Sequence, residues 1–159
     1  MNTGAVFSPC RQYRYALFRR WADPGVPAVF IMLNPSTADE VVNDPTVERC
    51  ERRARAMGFG ALRVCNLFAL RSTDPRALYD HADPVGQSND ATIMELVQGA
   101  GIVICAWGKH GNLHDRGRIV HKTLLMNGVV PHYLKLNKDG TPAHPLYIPY
   151  ETLPQRWEA

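Results

Sequence analysis

The rhythm of apolar and polar positions changes several times along the chain. Within YRYALFRRW, Tyr13, Tyr15 and Leu17 alternate with Arg14, Ala16 and Phe18, which predicts an edge strand or hairpin arm. Asp23-Pro24-Gly25 follows as a turn. Residues 27–33, PAVFIML, then run apolar without alternation, as a parallel strand buried on both faces does. Asp44-Pro45 pairs a helix N-cap with an N1 proline. Val47, Cys50, Ala54 and Met57 recur on one face, so a helix is expected to about Met57, closed by Gly58. ALRVCN, 61–66, reads as a second strand. A short helix is expected from Asp74-Pro75 and a longer one over 89–98, where Ile93, Leu96 and Val97 are apolar. GIVICAW, 101–107, is the next buried strand, and 116–127 is a helix ended by Gly128. VVPHYLKL, 129–136, is a fourth strand that Pro131 places at an edge.

Strands alternating with helices predict a parallel sheet joined by right-handed crossovers. The expected fold class is α/β, a three-layer α/β/α domain over residues 1–159 with a four-stranded parallel core. Composition narrows the setting. A chain of 159 residues that is 45% hydrophobic and 21% charged excludes collagen-like, coiled-coil and disordered classes. The net charge of +3 admits an anionic partner without the charge density of a histone-like protein. No apolar run nears the roughly 20 residues of a membrane span, so no membrane association is expected. The first residues lack a secretory pattern, and Cys10, Cys50, Cys65 and Cys105 form no CxxC pair. Reduced thiols in a cytoplasmic, monomeric protein are the expectation.

In open α/β sheets, ligands bind beyond the carboxyl ends of the strands. Four segments fall there: 33–39, 66–75, 107–112 and 137–146. GxGxxG, GxxxxGK[ST] and GxSxG are all absent, which removes dinucleotide, P-loop and serine-nucleophile readings. His110, His114, His121 and Asp115 could suggest a metal cluster, but Gly111 and Gly117 break the helix that would align them. No metal or other cofactor is expected.

FSPCRQYRY, MLNPSTAD, NDPT, NLFALRSTDP, AWGKHG and HPLYIP together resemble the bacterial domain-of-unknown-function 1643 family over nearly the whole chain. The same segments, in the same order, more distantly resemble the uracil-DNA glycosylase superfamily. That resemblance implies a four-stranded parallel sheet with flanking helices. Leu33-Asn34-Pro35-Ser36 is similar to its first motif, whose Asn helps position the attacking water. Val64-Cys65-Asn66-Leu67, with Arg71, is similar to a segment carrying a base-recognising Asn. The strand running into Gly108 resembles the one before the last helix. His144-Pro145-Leu146 looks like the second motif, whose His bonds the leaving base. Ser36 stands where that motif has glycine, and Leu146 where it has serine. No counterpart of the base-stacking aromatic is found near Asn43-Asp44-Pro45-Thr46.

Cleaving an N-glycosidic bond requires a pocketed base, a positioned water and stabilisation of the departing base. Asn34 could orient water through its carbonyl oxygen, and Asp39 (or Asp44) could accept the proton. His144 could donate to charge on a base oxygen. Asn66 offers a donor and an acceptor to one base edge. Pro35, Ser36 and Gly108 would shape the site, while Arg71, Lys109 and Lys138 could hold phosphate or sugar oxygens. Each has a plain counterpart: Asn34 and His144 precede prolines in turns, Asp39 and Asp44 suit helix caps, and Arg71 suits a surface ion pair. Arg49, Arg52, Arg53 and Arg55 read as a solvated helix face or a nucleic-acid track. Tyr13, Tyr15, Trp21 and Trp107 read as packing residues, with base stacking the alternative for Trp107. The expected function is hydrolysis of an N-glycosidic bond in DNA or a nucleotide. The alternatives are a non-catalytic base or lesion-binding module and an enzyme acting on a free nucleoside or nucleotide.

Overall fold

The computed structural model describes residues 1–158. Its strands are β1 (Asn2–Phe7), β2 (Arg14–Arg20), β3 (Pro27–Met32), β4 (Ala61–Asn66), β5 (Ile102–Cys105), β6 (Pro131–Tyr133) and β7 (Gln155–Arg156). The helices are α1 (Pro45–Ala56), α2 (Ala77–Asp80), α3 (Asn89–Leu96) and α4 (Arg116–Met126), with a 3-10 segment at Lys109–Asp115. The strands form one seven-stranded mixed sheet, in the order β1-β2-β4-β3-β5-β6-β7. Neighbours from β4 through β3 and β5 to β6 pair in parallel. β1 and β2 add antiparallel strands beside β4, and β7 adds one beside β6.

Antiparallel strands thus flank the four parallel ones, and β2 is the hairpin arm of the two readings, paired with β1, not the sheet edge. It lies between β1 and β4, with Leu17 opposite Val64. β1, whose NTGAVF shows little alternation, occupies that edge instead. At the other side the expected strand over 129–136 shrinks to three residues and is not the edge, because β7 pairs beyond it. Pro131 pairs in register with Val103, while its carbonyl accepts from Trp157 N–H at 2.8 Å. A proline survives there because only its carbonyl is needed for pairing.

Side-chain alternation along β3 divides the interior. Ala28, Phe30 and Met32 pack with Leu62, Val64 and Ile104 against Val47, Cys50 and Ala54 of α1. Val29, Ile31 and Leu33 pack with Cys65, Val103 and Cys105 against Ile93 of α3 and Val120 and Leu124 of α4. A strand covered on both faces must be apolar at every position, which is why 27–33 lacked alternation. No helix among the described residues is long and apolar enough to cross a membrane.

The arginines depart furthest from expectation. Arg53 of α1 is fully buried and donates to the carbonyls of Ile148, Pro149, Tyr150 and Thr152. Arg49 donates to the carbonyls of Pro145 and Ile148 and lies over the Tyr150 ring. Arg52 and Arg55 pair with Glu48 and Glu51 one turn back. The solvated reading thus holds for exposed Arg52 and Arg55 and fails for Arg49 and Arg53. The two inner arginines dock the segment 145–152. From β2, Arg19 donates to the carbonyls of Asp39 and Glu40 and to Asn43 Oδ1.

Removing one partner of a buried polar set leaves the others desolvated and unpaired. Arg53→Met should therefore destabilise the fold by about 3 kcal/mol, whereas exposed Arg52→Ala should cost under about 0.5 kcal/mol. Urea unfolding of the two variants followed by circular dichroism measures both. Equal, small effects would show that Arg53 carries no such load.

Candidate functional site

Beyond the carboxyl ends of β3 and β4, a cavity of about 240 Å³ opens between the sheet and α1. Parallel pairing places Asn66, the last residue of β4, opposite Met32, the last of β3. The ladder runs on for two residues, with Leu67 N–H donating to Met32 and Phe68 N–H to Leu33. The chain then releases Asn34-Pro35-Ser36 into the cavity wall. Asp44, Thr46, Val47 and Cys50 come from the start of α1, Ser72, Thr73 and Pro75 from the loop after β4, and Arg14 from β2. His144 closes the set. It arrives after β6 through the Asn137–Thr141 turn, with Ala143 N–H bonded to Lys135.

Each wall is fixed by donors reaching loop carbonyls. Asn34 Nδ2 contacts the carbonyls of Ser72 at 3.0 Å, Leu70 at 3.3 Å and Pro35 at 3.3 Å. Three acceptors around one side-chain atom require it to be the NH₂, which assigns the other position to the carbonyl oxygen Oδ1. Asn89 Nδ2 donates to the carbonyls of Asn66 and Leu67, and Arg116 donates twice to Leu67. Asp44 accepts from Val47 N–H at 2.9 Å as the α1 N-cap and from Ala38 N–H at 3.3 Å. Leu146 N–H donates to His144 Nδ1 at 3.2 Å. Nδ1 is therefore unprotonated, and the neutral ring carries its proton on Nε2.

Burial pushes the His144 pKa below the ordinary value of 6.5, against a smaller upward pull from Asp44. Burial likewise lowers Arg14 to about 10, again opposed by Asp44. It still leaves the guanidinium protonated at neutral pH. The Cys50 thiol is pushed up to about 12 by burial, so it is no nucleophile.

A family model described as a protein of unknown function (DUF1643) matches residues 14–146. The chain belongs to the DUF1643 family. Compared with curated proteins and with solved structures, it shows no significant match.

In this DUF1643 member, Asn34, Pro35, Ser36, Asn66 and His144 all line the one cavity. Five other expected residues do not line it. Asp39 turns its Oδ1 back to the N–H groups of Val42 and Val41, which hold its carboxyl below the usual range. Asp44 is the carboxylate at the cavity instead. Arg71 is occupied with the carbonyls of Ser36 and Arg11 and packs over Phe7. Lys138 is exposed in the Asn137–Thr141 turn. Gly108 donates its N–H to Pro142, and exposed Lys109 starts the 3-10 segment. That stretch seats Trp107, which is buried against Trp157. A Cβ on Gly111 would come 2.2 Å from the Trp107 ring. Trp107 is thus a core residue, not a base-stacking one.

Sequence reasoning missed Arg14, Thr46, Ser72 and Thr73 as wall residues. Arg14 was hidden by its strand: alternation assigned it to the polar side, yet it is 2% exposed. No Phe, Tyr or Trp lines the cavity; its apolar surface comes from Met32, Leu33, Val47, Val64, Pro35 and Pro75.

The depressed His144 pKa ties stability to pH. The unfolded chain takes up a proton first as pH falls below about 6.5, so the unfolded state binds more protons there. His144 therefore costs nothing above that value and destabilises the fold progressively as pH falls through it. His144→Gln should flatten the loss of stability between about pH 6.5 and 5. Chemical denaturation at successive pH values tests this, and an unchanged slope would contradict the burial of His144.

Proposed function

We propose that this protein binds a nucleobase in the cavity between β3, β4 and α1 and hydrolyses its N-glycosidic bond. The resemblance to uracil-DNA glycosylases belongs to this reading. One observation carries it: Asn34 and Asn66, from the ends of β3 and β4, and His144, from the loop after β6, line the same cavity. At about 240 Å³ the cavity is smaller than the roughly 300–1,000 Å³ of drug-sized sites, which suits a ligand of one or two rings.

The chemistry follows from the fixed groups. Water held by Asn34 Oδ1 attacks the sugar carbon as its bond to the base nitrogen breaks. The water's proton passes to the Asp44 carboxylate, which retains acceptor capacity beyond its two backbone N–H bonds. The base leaves with the bonding electron pair. His144 Nε2–H donates to the base oxygen where negative charge grows, and a neutral imidazole can do this without losing its proton. Asn66 reads one edge of the base through its amide.

A free nucleoside or nucleotide is favoured over a polymer by the fate of the cations. Arg14, Arg19, Arg53 and Arg116 are buried, and Arg11, Arg20, Arg76 and Arg118 are held in ion pairs. Little of the +3 is left as a continuous track for phosphates.

The test is base release from nucleosides, nucleotides, and uracil- or modified-base-containing single- and double-stranded DNA. Wild type should release base, and His144→Ala should lose roughly 10²–10³-fold in rate, as expected for one lost donor to developing charge. Rates on a monomer should change little between 50 and 200 mM salt, whereas contacts to several phosphates would lower polymer binding steeply. No release from any of these substrates would remove the hydrolase reading. Asn34→Ala is informative only beside an unfolding curve, because it also frees the carbonyls of Leu70 and Ser72.

A further inference from the structure

The cavity contains a cation for which the scheme above has no use. Arg14 lies on β2, is 2% exposed, and lines the cavity with Asn66, Asp44 and His144. Its side chain makes one hydrogen bond among the described residues, from Nη1 to the Ala38 carbonyl at 3.1 Å. Its Nε has no partner, and neither does Nδ2 of Asn66, itself 2% exposed. A guanidinium has five N–H donors, and a buried one normally has most of them bonded. The other buried arginines bond far more of their donors, although the Nε of Arg53 is also without a partner. Arg53 contacts four carbonyls, Arg19 several carbonyls and Asn43, and Arg116 the Leu67 carbonyl and Asp90.

Anchoring Ala38 does not account for this residue, since one carbonyl needs one donor and no charge. The nearby carboxylate does not account for it either. Asp44 attracts Arg14 at a distance, but its oxygens bond the N–H groups of Val47 and Ala38, and no ion pair joins the two residues. A buried cation with unbonded donors beside an unbonded amide is a place for negative charge or strong acceptors.

We propose that Arg14, assisted by Asn66, is the anion-binding subsite of this cavity, taking the negative charge that an oxo-substituted base acquires when it ionises. The inference rests on the nucleobase reading and extends it. In the bound nucleoside the base is neutral. As the glycosidic bond breaks, the electron pair enters the ring and spreads to its oxygens, where Arg14 gains most. Such a group favours the departing base over the intact substrate, which is the condition for accelerating the step. It also sets a preference: oxo bases, whose oxygens accept, over amino bases, whose NH₂ would face the donors of Arg14 and Asn66.

The probe is free 5-nitrouracil, a pyrimidine dione whose ionisation in mildly acidic solution changes its absorption. Ultraviolet titration of the base with and without saturating wild-type protein gives its bound and free pKa. The groups lining the cavity that can respond to pH are Arg14, Asp44, Cys50 and His144. His144→Gln is therefore titrated in parallel to separate its ionisation from that of the ligand. Binding of the anion at least tenfold tighter than the neutral form should lower the bound pKa by at least about one unit. Arg14→Met should abolish that shift while still binding the neutral base, and Arg14→Lys should restore part of it. Cytosine should bind at least tenfold more weakly than uracil.

A wild-type pKa that does not fall on binding overturns the Arg14 assignment and leaves base recognition standing. So does an undiminished fall in folded Arg14→Met. Should that variant unfold, Arg14→Lys and the wild-type shift decide the matter. A lowered pKa without base release from any substrate supports the subsite and sinks the hydrolase. Binding of neither base by the wild type sinks both.

Discussion

Unpaired backbone carbonyls are the constraint around which this fold is arranged. Regular structure occupies the sheet and helices, but segments 33–44, 66–76 and 134–154 contain little of it and are packed against the sheet and α1. Buried carbonyls outside a ladder must find donors or impose a desolvation cost of about 1–3 kcal/mol each. Arginine meets the need well because its planar fork offers five donors from one side chain. Arg19 serves the loop after β3, Arg116 the end of β4, Arg71 Ser36, and Arg49 and Arg53 the tail after His144. Asn34 and Asn89 do the same with amides. The cavity exists because these cross-ties hold three loops at one sheet corner.

That arrangement explains which parts of the structure were legible in the sequence. β3 and β5 were readable because continuous apolar runs have one meaning in a doubly covered sheet. α1 was readable because Asp44-Pro45 is both a chemical cap and a conformational start. β2 misled because alternation assumes that polar means outward. Arg14 and Arg19 are almost fully buried, while Phe18 on the same strand is exposed. The rule failed where a long cationic side chain could reach a loop carbonyl, and spacing cannot reveal that reach. β1 and β7 were silent for another reason: short edge strands take their pairing from a neighbour more than from their own composition.

The same logic separates the candidate site residues that converge from those that do not. Asn34, Asn66 and His144 adjoin strand ends or a tight turn, so chain direction and register already place them. Asp39, Arg71, Lys109 and Lys138 sit in loops whose course depends on which donor satisfies which carbonyl. Asp39 and Asp44 show the difference within six residues. One closes a local turn through Val41 and Val42, and the other caps α1 at the cavity. Both are capping carboxylates by residue type, and only the path of the loop distinguishes them.

Restraint and chemistry share the same atoms at Asn34. Its NH₂ is committed to three carbonyls, and that commitment fixes where its oxygen lies. A free asparagine could present either end to a ligand; this one can present only an acceptor. Arg14 is the opposite case, a donor-rich group in a fold that bonds nearly every other buried guanidinium. The cavity therefore has polarity before any ligand enters it: acceptors at Asn34 and Asp44, donors at Arg14 and His144. Under the proposed hydrolysis, a ligand with an attacked centre and a departing acceptor would enter in one orientation. The loop cross-ties that fill the interior also supply that direction, so a substitution in them should change chemistry and folding together.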